Sequence, residues 1–284
     1  MIFPDRFLTA STWSSPRAPA WKMIEVPLGR TGLTVSRLAF GTGTDGWAGR
    51  SRQTRLGLPG LADLMVYACE RGVTFLDTAD EYGSHPHVRE ALKRIPRERV
   101  VIATKTTARD AKTMRSDLDR FRRELGLDVI DVILMHCPTD AKWNVVLEPV
   151  MGVLSGAKRA GIVRALGVSP HSWGALNTAS SEPWVDAVLV RINYAGVNMD
   201  NGPDKVIPVM RRIQAAGKGV YAMKAFGAGR LSDARRSISF VMAAPVDALT
   251  VGMETRAQVD ENIRLVSEFR PVRQDPPGGE AGRA

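Results

Sequence analysis

From about residue 36 onward, short apolar runs alternate with longer segments whose apolar residues recur every three or four positions. The short runs, at 38–41, 74–78, 100–105, 130–136, 164–169, 187–193, 220–226 and 248–252, are rich in Val, Ile, Leu and Ala. Strands buried on both faces require continuous apolar runs of this kind. The intervening segments have helical spacing. Leu61, Leu64, Met65, Ala68 and Cys69 fall on one helix face, as do Met114, Leu118, Phe121 and Leu125. Val206, Val209, Met210 and Ile213 repeat the pattern, and so do Val259, Ile263 and Val266. Gly72, Gly126, Gly161 and Gly217 each follow such a segment, where a left-handed residue commonly closes a helix.

Eight strands alternating with about eight helices predict parallel βαβ units. Two architectures satisfy that order: a closed (β/α)8 TIM barrel and an open doubly wound sheet. No GxGxxG opens a helix after the first strand, which favours the barrel. Ahead of that strand, residues 26–35 (VPLGRTGLTV) read as a short β-hairpin suited to plug the barrel's bottom. Residues 1–22 are polar and unpatterned and read as an N-terminal extension with the composition of a flexible segment. The barrel is expected over 23–270, followed at 271–284 by a Pro-, Gly- and charge-rich tail expected to be disordered.

Composition narrows the class further. With 284 residues, 44% of them hydrophobic, the chain can bury one large core. Its two cysteines, Cys69 and Cys137, imply no disulfide framework and suit a reducing cytoplasm. No apolar run approaches the ~18 residues that span a bilayer, and no secretory signal stands at the N-terminus. A cytoplasmic protein without a membrane partner is therefore expected. The formal net charge is +9, which fits either a solvated basic surface or attraction of an anionic ligand such as a dinucleotide. The basic residues are scattered over the helices with no aromatic-interleaved stripe, so no nucleic-acid partner is expected. Nothing in the pattern specifies an oligomeric state.

Reactive groups of a parallel barrel gather where strands end. Asp77, Lys105 and His136 end the second, third and fourth runs, and Tyr82 follows Asp77 by five residues. The gaps of 28 and 31 residues are each about one βα unit, so the three strand-end residues should stand side by side on one rim. Together they make a proton-delivery device. A phenol of pKa ~10 is a poor acid alone, and a nearby ammonium lowers that value. Asp77 would hold Lys105, a neutral His136 would orient a carbonyl oxygen, and Tyr82 would protonate it as hydride reaches carbon. His85 and His87 share the loop with Tyr82 but have no cysteine partners and no second cluster, so no metal is expected.

The stretches GRTGLTVSRLAFGTG, FLDTADEYG, ATK, LMHCP, GVS and VGMETRAQVDENI run in order from about residue 23 to 269 and resemble the aldo-keto reductase family. The resemblance implies a (β/α)8 barrel, NADP(H) or NAD(H) extended across the strands' C-terminal rim, and reduction of a small-molecule aldehyde or ketone. It implies that Asp77, Tyr82, Lys105 and His136 are the catalytic tetrad. It assigns Ser169 to the nicotinamide amide, Met223 to the place of a stacking tyrosine, and Asn262 to the adenine. Asn193, Lys224, Gly227, Gly229, Arg256 and Gln258 complete the implied cofactor set. Pro170 and Leu189 replace an asparagine and a glutamine of the family pattern, and Gly252 and Gln258 replace the lysine and arginine that grip a 2′-phosphate. Cofactor preference is therefore open, and Glu254 would repel a 2′-phosphate if turned inward. A second reading is a cofactor-binding barrel acting as a redox sensor or partner-binding subunit with slow turnover. The changed positions motivate it, and the intact tetrad argues against it. The loop at 42–59, with Trp47, is expected to fold over the site, with Cys137, Trp143 and Trp173 as lining residues and a fairly open, aldehyde-tolerant pocket.

Overall fold

The structure is a computed structural model that describes residues 22–269. The predicted tail, and the predicted extension apart from Lys22, lie outside the described residues. The hairpin comes first: β1 (Glu25–Pro27) pairs antiparallel with β2 (Thr34–Ser36). Eight parallel strands follow: β3 (Leu38–Gly41), β4 (Phe75–Asp77), β5 (Val101–Thr106), β6 (Ile130–His136), β7 (Val163–Ser169), β8 (Ala187–Arg191), β9 (Gly219–Met223) and β10 (Ala248–Gly252). They pair in chain order and β10 closes on β3, so the chain forms a barrel rather than an open sheet.

The helices are α1 (Gly57–Glu70), α2 (His85–Leu92), α3 (Ala111–Leu125), α4 (Trp143–Val146), α5 (Glu148–Arg159), α6 (Trp173–Ser181), α7 (Pro203–Ala215), α8 (Ala234–Ala243) and α9 (Arg256–Glu268). The predicted apolar stripes are the buried faces of α1, α3, α7 and α9. Asp110 caps α3 by accepting the Thr113 N–H, and Gly126 closes it at φ +68°. No helix among the described residues is long and apolar enough to cross a membrane.

Each strand alternates its side chains between two apolar clusters, as the two-residue strand period requires. Phe40, Leu76, Ile102, Ile133, Val168 and Val190 pack outward against the helices. Ala39, Phe75, Ala103, Leu134, Leu189 and Tyr221 fill the barrel interior. The hairpin closes the bottom of that interior: Leu28, Leu33 and Val35 belong to the inner cluster and are at most 2% exposed. Its turn abuts the start of β9 so closely that a Cβ on Gly29 would lie 2.2 Å from the Gly219 nitrogen.

Two strands stop two or more residues short of their predicted ends. The apolar runs at 187–193 and 220–226 continue past β8 and β9, but the strands end at Arg191 and Met223. Lys224 takes φ +65°, outside the extended region, and Asn193 ties its own loop to the Lys224 carbonyl. Apolar character extends a run without regard to the backbone turn that ends it.

Candidate active site

The inner cluster predicts its own continuation. Two residues beyond its members Phe75, Ala103 and Leu134, on the same face, stand Asp77, Lys105 and His136. The same step reaches Met223 and Thr250 on β9 and β10, and two such steps from Ala165 reach Ser169 on β7. Polar groups thus form the layer directly above an apolar one, at the strands' C-terminal rim.

Lys105 is fully buried, and its ammonium donates to Asp77 Oδ1 and to the Thr78 carbonyl, both at 2.8 Å. The hydroxyls of Tyr221 and Thr250 donate to the two carboxylate oxygens of Asp77, each at 3.3 Å. Tyr82 lies in the tight turn after β4, 8% exposed, with its hydroxyl 3.4 Å from His136 Nε2. Its ring fits a slot in which a Cβ on Gly43 or Gly46 would come within 2.2 or 2.4 Å of ring carbons. Lys105 Nζ sits 4.9 Å from the centroid of that ring. Glu81 Oε2 stands 3.0 Å from His136 Nδ1, at ion-pair distance but outside hydrogen-bond geometry.

The electrostatics correct one expectation. Lys105 does not pull the Tyr82 hydroxyl below its ordinary value. Burial pushes it well above, with further upward pushes from the charge on Asp77, the thiolate form of Cys137 and the Glu81 carboxylate. Asp77 sits directly on the Lys105 ammonium and offsets its field, so desolvation decides. Tyr82 therefore rests as a protonated phenol. Burial also lowers His136, against the opposing pull of Glu81, and keeps its imidazole neutral at pH 7.

These groups floor a cleft of about 840 Å³, within the range usual for small-molecule and cofactor sites. Trp47, Tyr82, His136, Cys137, His171 and Met223 line one end of it. Cys137 adopts φ +55°, and its Sγ lies 3.5 Å from His171 Nε2. Burial holds both groups neutral, raising the Cys137 thiol to about 11 and lowering His171 to about 3. The predicted loop does line the cleft, through Gly43–Trp47 and Arg52, and Trp47 is largely exposed. Trp143 corrects the lining prediction: it is a core residue, 1% exposed, with its indole N–H donating to the Ala175 carbonyl. Trp173 packs partly buried against the outer core.

The implied cofactor residues divide. Met223, Lys224, Gly229, Gln258 and Asn262 line the cleft. Ser169 is outside the lining, fully buried beside His136 in the strand register, and its hydroxyl has no hydrogen-bond partner. Such an orphaned donor–acceptor fits an amide that arrives with a ligand. Asn193 does not line the cleft. Its amide donates to the Val197 and Lys224 carbonyls and accepts from the Ala195 and Val197 N–H groups, so its bonding capacity is used within its own loop and on the loop after β9. Gly227 is also outside the lining, packed against Val197 and Leu231. Arg256 turns away to lie over the Tyr67 ring, 4.7 Å from its centroid. Leu189 is part of the barrel's inner packing.

Tyr221, Thr250 and Glu81 complete the tetrad's surroundings, and a reading by strand ends alone passes over them. The two-residue inward period would have found Thr250. Asp80, His85 and Glu124 lie close enough to share a cation, but Arg120 already donates to both carboxylates at 2.6 and 3.2 Å. His85 is likewise bonded on both nitrogens, to Glu124 and Thr104.

Residues 37–242, most of the barrel, match the model of the Aldo/keto reductase family. The chain is 28% identical over 219 residues to probable aldo-keto reductase 1 of Glycine max, covering 72% of this chain and 60% of that one. It is 27% identical over 175 residues to the NADH-specific methylglyoxal reductase of Escherichia coli, covering 52% of each. The matches thus span little more than half the length of these two relatives. A crystal structure of an aldo-keto reductase from Pseudomonas aeruginosa superposes with a TM-score of 0.74 at 26% identity, covering 88% of this chain and 97% of that one. A closed parallel barrel whose rim bears Asp77, Tyr82, Lys105 and His136, and whose sequence matches along most of its length, belongs to the aldo/keto reductase family.

Proposed function

We propose that the chain reduces aldehydes or ketones to alcohols with NADPH or NADH, and that Tyr82 is the general acid. One observation carries this reading: the Tyr82 hydroxyl stands 3.4 Å from His136 Nε2 above a buried Lys105–Asp77 pair, on the floor of a cleft. The orphaned Ser169 hydroxyl and the cleft residues Gln258 and Asn262 support a dinucleotide in that cleft. The relative from Escherichia coli, named a methylglyoxal reductase, supports a small carbonyl as substrate.

A bound nicotinamide would supply hydride to the carbonyl carbon. The chain's own residues manage the proton. A carbonyl oxygen seated near the Tyr82 hydroxyl and His136 Nε2 is fixed by both. An alkoxide is a stronger base than a phenolate, so the raised Tyr82 keeps its proton at rest and still delivers it as charge develops on oxygen. The phenolate left behind is offset by the Lys105 ammonium, which Asp77 and the Thr78 carbonyl hold beneath the ring. Neutral His136 positions the oxygen without competing for the proton.

The test is cofactor oxidation, followed by absorbance, with a panel of aldehydes and ketones. Tyr82→Phe should lower the rate by about a hundredfold or more, the scale of a lost general acid. A Tyr82→Phe protein that reduces aldehydes as fast as the parent would sink the assignment. A parent that binds cofactor but turns it over negligibly would favour the sensor reading that Pro170, Leu189 and Met223 suggest.

A further inference from the structure

The end of the cleft remote from Tyr82 carries no reacting group. It is formed by the end of β10, the first turns of α9 and the loop between β3 and α1. Gly252, Glu254, Gln258, Glu261 and Asn262 line it, together with Arg52 of the loop. If the chain is the reductase proposed above, a dinucleotide whose nicotinamide meets Tyr82 lays its adenosine here.

The charge at this end is negative. Two carboxylates, Glu254 and Glu261, face one guanidinium, and Arg52 is already paired with Glu254 at 2.8 Å. Among the described lining residues the only other arginine or lysine is Lys224, next to Met223 at the Tyr82 end. Arg256 lies over Tyr67, whose hydroxyl in turn donates to Asp260 at 2.8 Å. The Gln258 side chain is also committed, its Oε1 accepting the Glu254 N–H at 2.7 Å.

Nor is there space for another cation. A Cβ on Gly252 would stand 1.9 Å from Thr44 Oγ1 and 2.7 Å from Gln53 Nε2. Those two side chains are locked together: the Thr44 N–H donates to Gln53 Oε1 at 2.8 Å, and Gln53 Nε2 donates to Thr44 Oγ1 at 3.0 Å. The loop therefore fills the volume that a longer side chain at position 252 would need.

A phosphomonoester carries a charge of about −1.5 to −2 at pH 7. Set on the 2′ position of the adenosine ribose, it would meet a surplus carboxylate with no free cation to offset it. A ribose 2′-hydroxyl carries no charge and donates to a carboxylate. The geometry points to selectivity for NADH over NADPH, set by the two carboxylates Glu254 and Glu261 together, with Arg52 as the loop residue that offsets only one of them.

The test is binding to the full chain, read by calorimetry or by quenching of tryptophan fluorescence. NADH should bind about tenfold or more tightly than NADPH, the scale of one unfavourable charge contact in a partly screened site. Adenosine 5′-monophosphate and adenosine 2′,5′-bisphosphate, which reach only this end, should rank the same way. Glu254→Gln removes one of the two carboxylates and releases Arg52 to offset the other or the phosphate, so NADPH and the bisphosphate should gain affinity and the preference should shrink. Arg52→Gln should widen it. NADPH binding as tightly as NADH in the parent overturns the proposal. So does a preference unmoved in both variants when their melting curves match the parent's. Binding of neither dinucleotide would instead overturn the reductase reading, and this proposal with it, an outcome distinct from a reversed preference.

Discussion

Lys105→Met keeps most of the lysine's length and removes its charge. The parent ammonium is fully buried and holds Asp77 at 2.8 Å. Without it the Asp77 carboxylate, itself 4% exposed, keeps only two long contacts, the Tyr221 and Thr250 hydroxyls at 3.3 Å. Removing one partner of a buried ion pair costs about 3–5 kcal/mol, because the other charge is left uncompensated. For a domain of this size each kcal/mol is worth about 2–4 °C, so Lys105→Met should melt about 6–20 °C below the parent. Asp77→Asn in the same background removes the stranded charge, and the double variant should regain most of that loss. Aldehyde reduction should not return, since the phenolate of Tyr82 would still lack its compensating ammonium. Circular-dichroism melts and cofactor-oxidation rates on the parent, the two single variants and the double variant form a complete cycle. A Lys105→Met protein that melts within about 1 °C of the parent would refute the reasoning. So would a double variant as unstable as the sum of the single ones.

The raised Tyr82 and lowered His136 together set a pH profile. On the proposed assignment reduction needs the protonated phenol, which persists above its ordinary value of ~10, so kcat/KM for reduction should stay flat from about pH 7 to 10. Alcohol oxidation needs the phenolate and should climb over the same range; a reductive limb falling near pH 7–8 would contradict the assignment. Asn193→Ala removes four hydrogen bonds, three within its loop and one to the Lys224 carbonyl, and should cost about 2–3 kcal/mol in a melt taken without cofactor. An unchanged melt paired with weaker cofactor binding would instead make Asn193 a ligand contact.

Much of this protein could be read from its sequence because the deciding signals are local and periodic. Burial on both faces makes each barrel strand a continuous apolar run, and the helical stripes at Leu61–Cys69 and Met114–Leu125 mark the layer outside. Strand-end position and βα spacing brought Asp77, Lys105 and His136 to one rim, and the structure sets them there. The turn that carries Tyr82 follows β4 directly, so its place was legible as well.

What the sequence could not determine depends on which side chains meet across the fold. Tyr221 reaches Asp77 from 144 residues away, and no spacing rule announces that contact. Asn193 and Arg256 are polar residues at apt positions, yet one is consumed by its own loop and the Lys224 carbonyl, and the other lies on Tyr67. The sign of the Tyr82 shift turned on the same cause. A lysine nearby in sequence order suggested a more acidic phenol, but Asp77 sits on that lysine and the ring is shut away from water. Residue type and periodicity determined which groups reach the rim. Pairing and burial, which exist only once the barrel closes, decided what charge each of them presents.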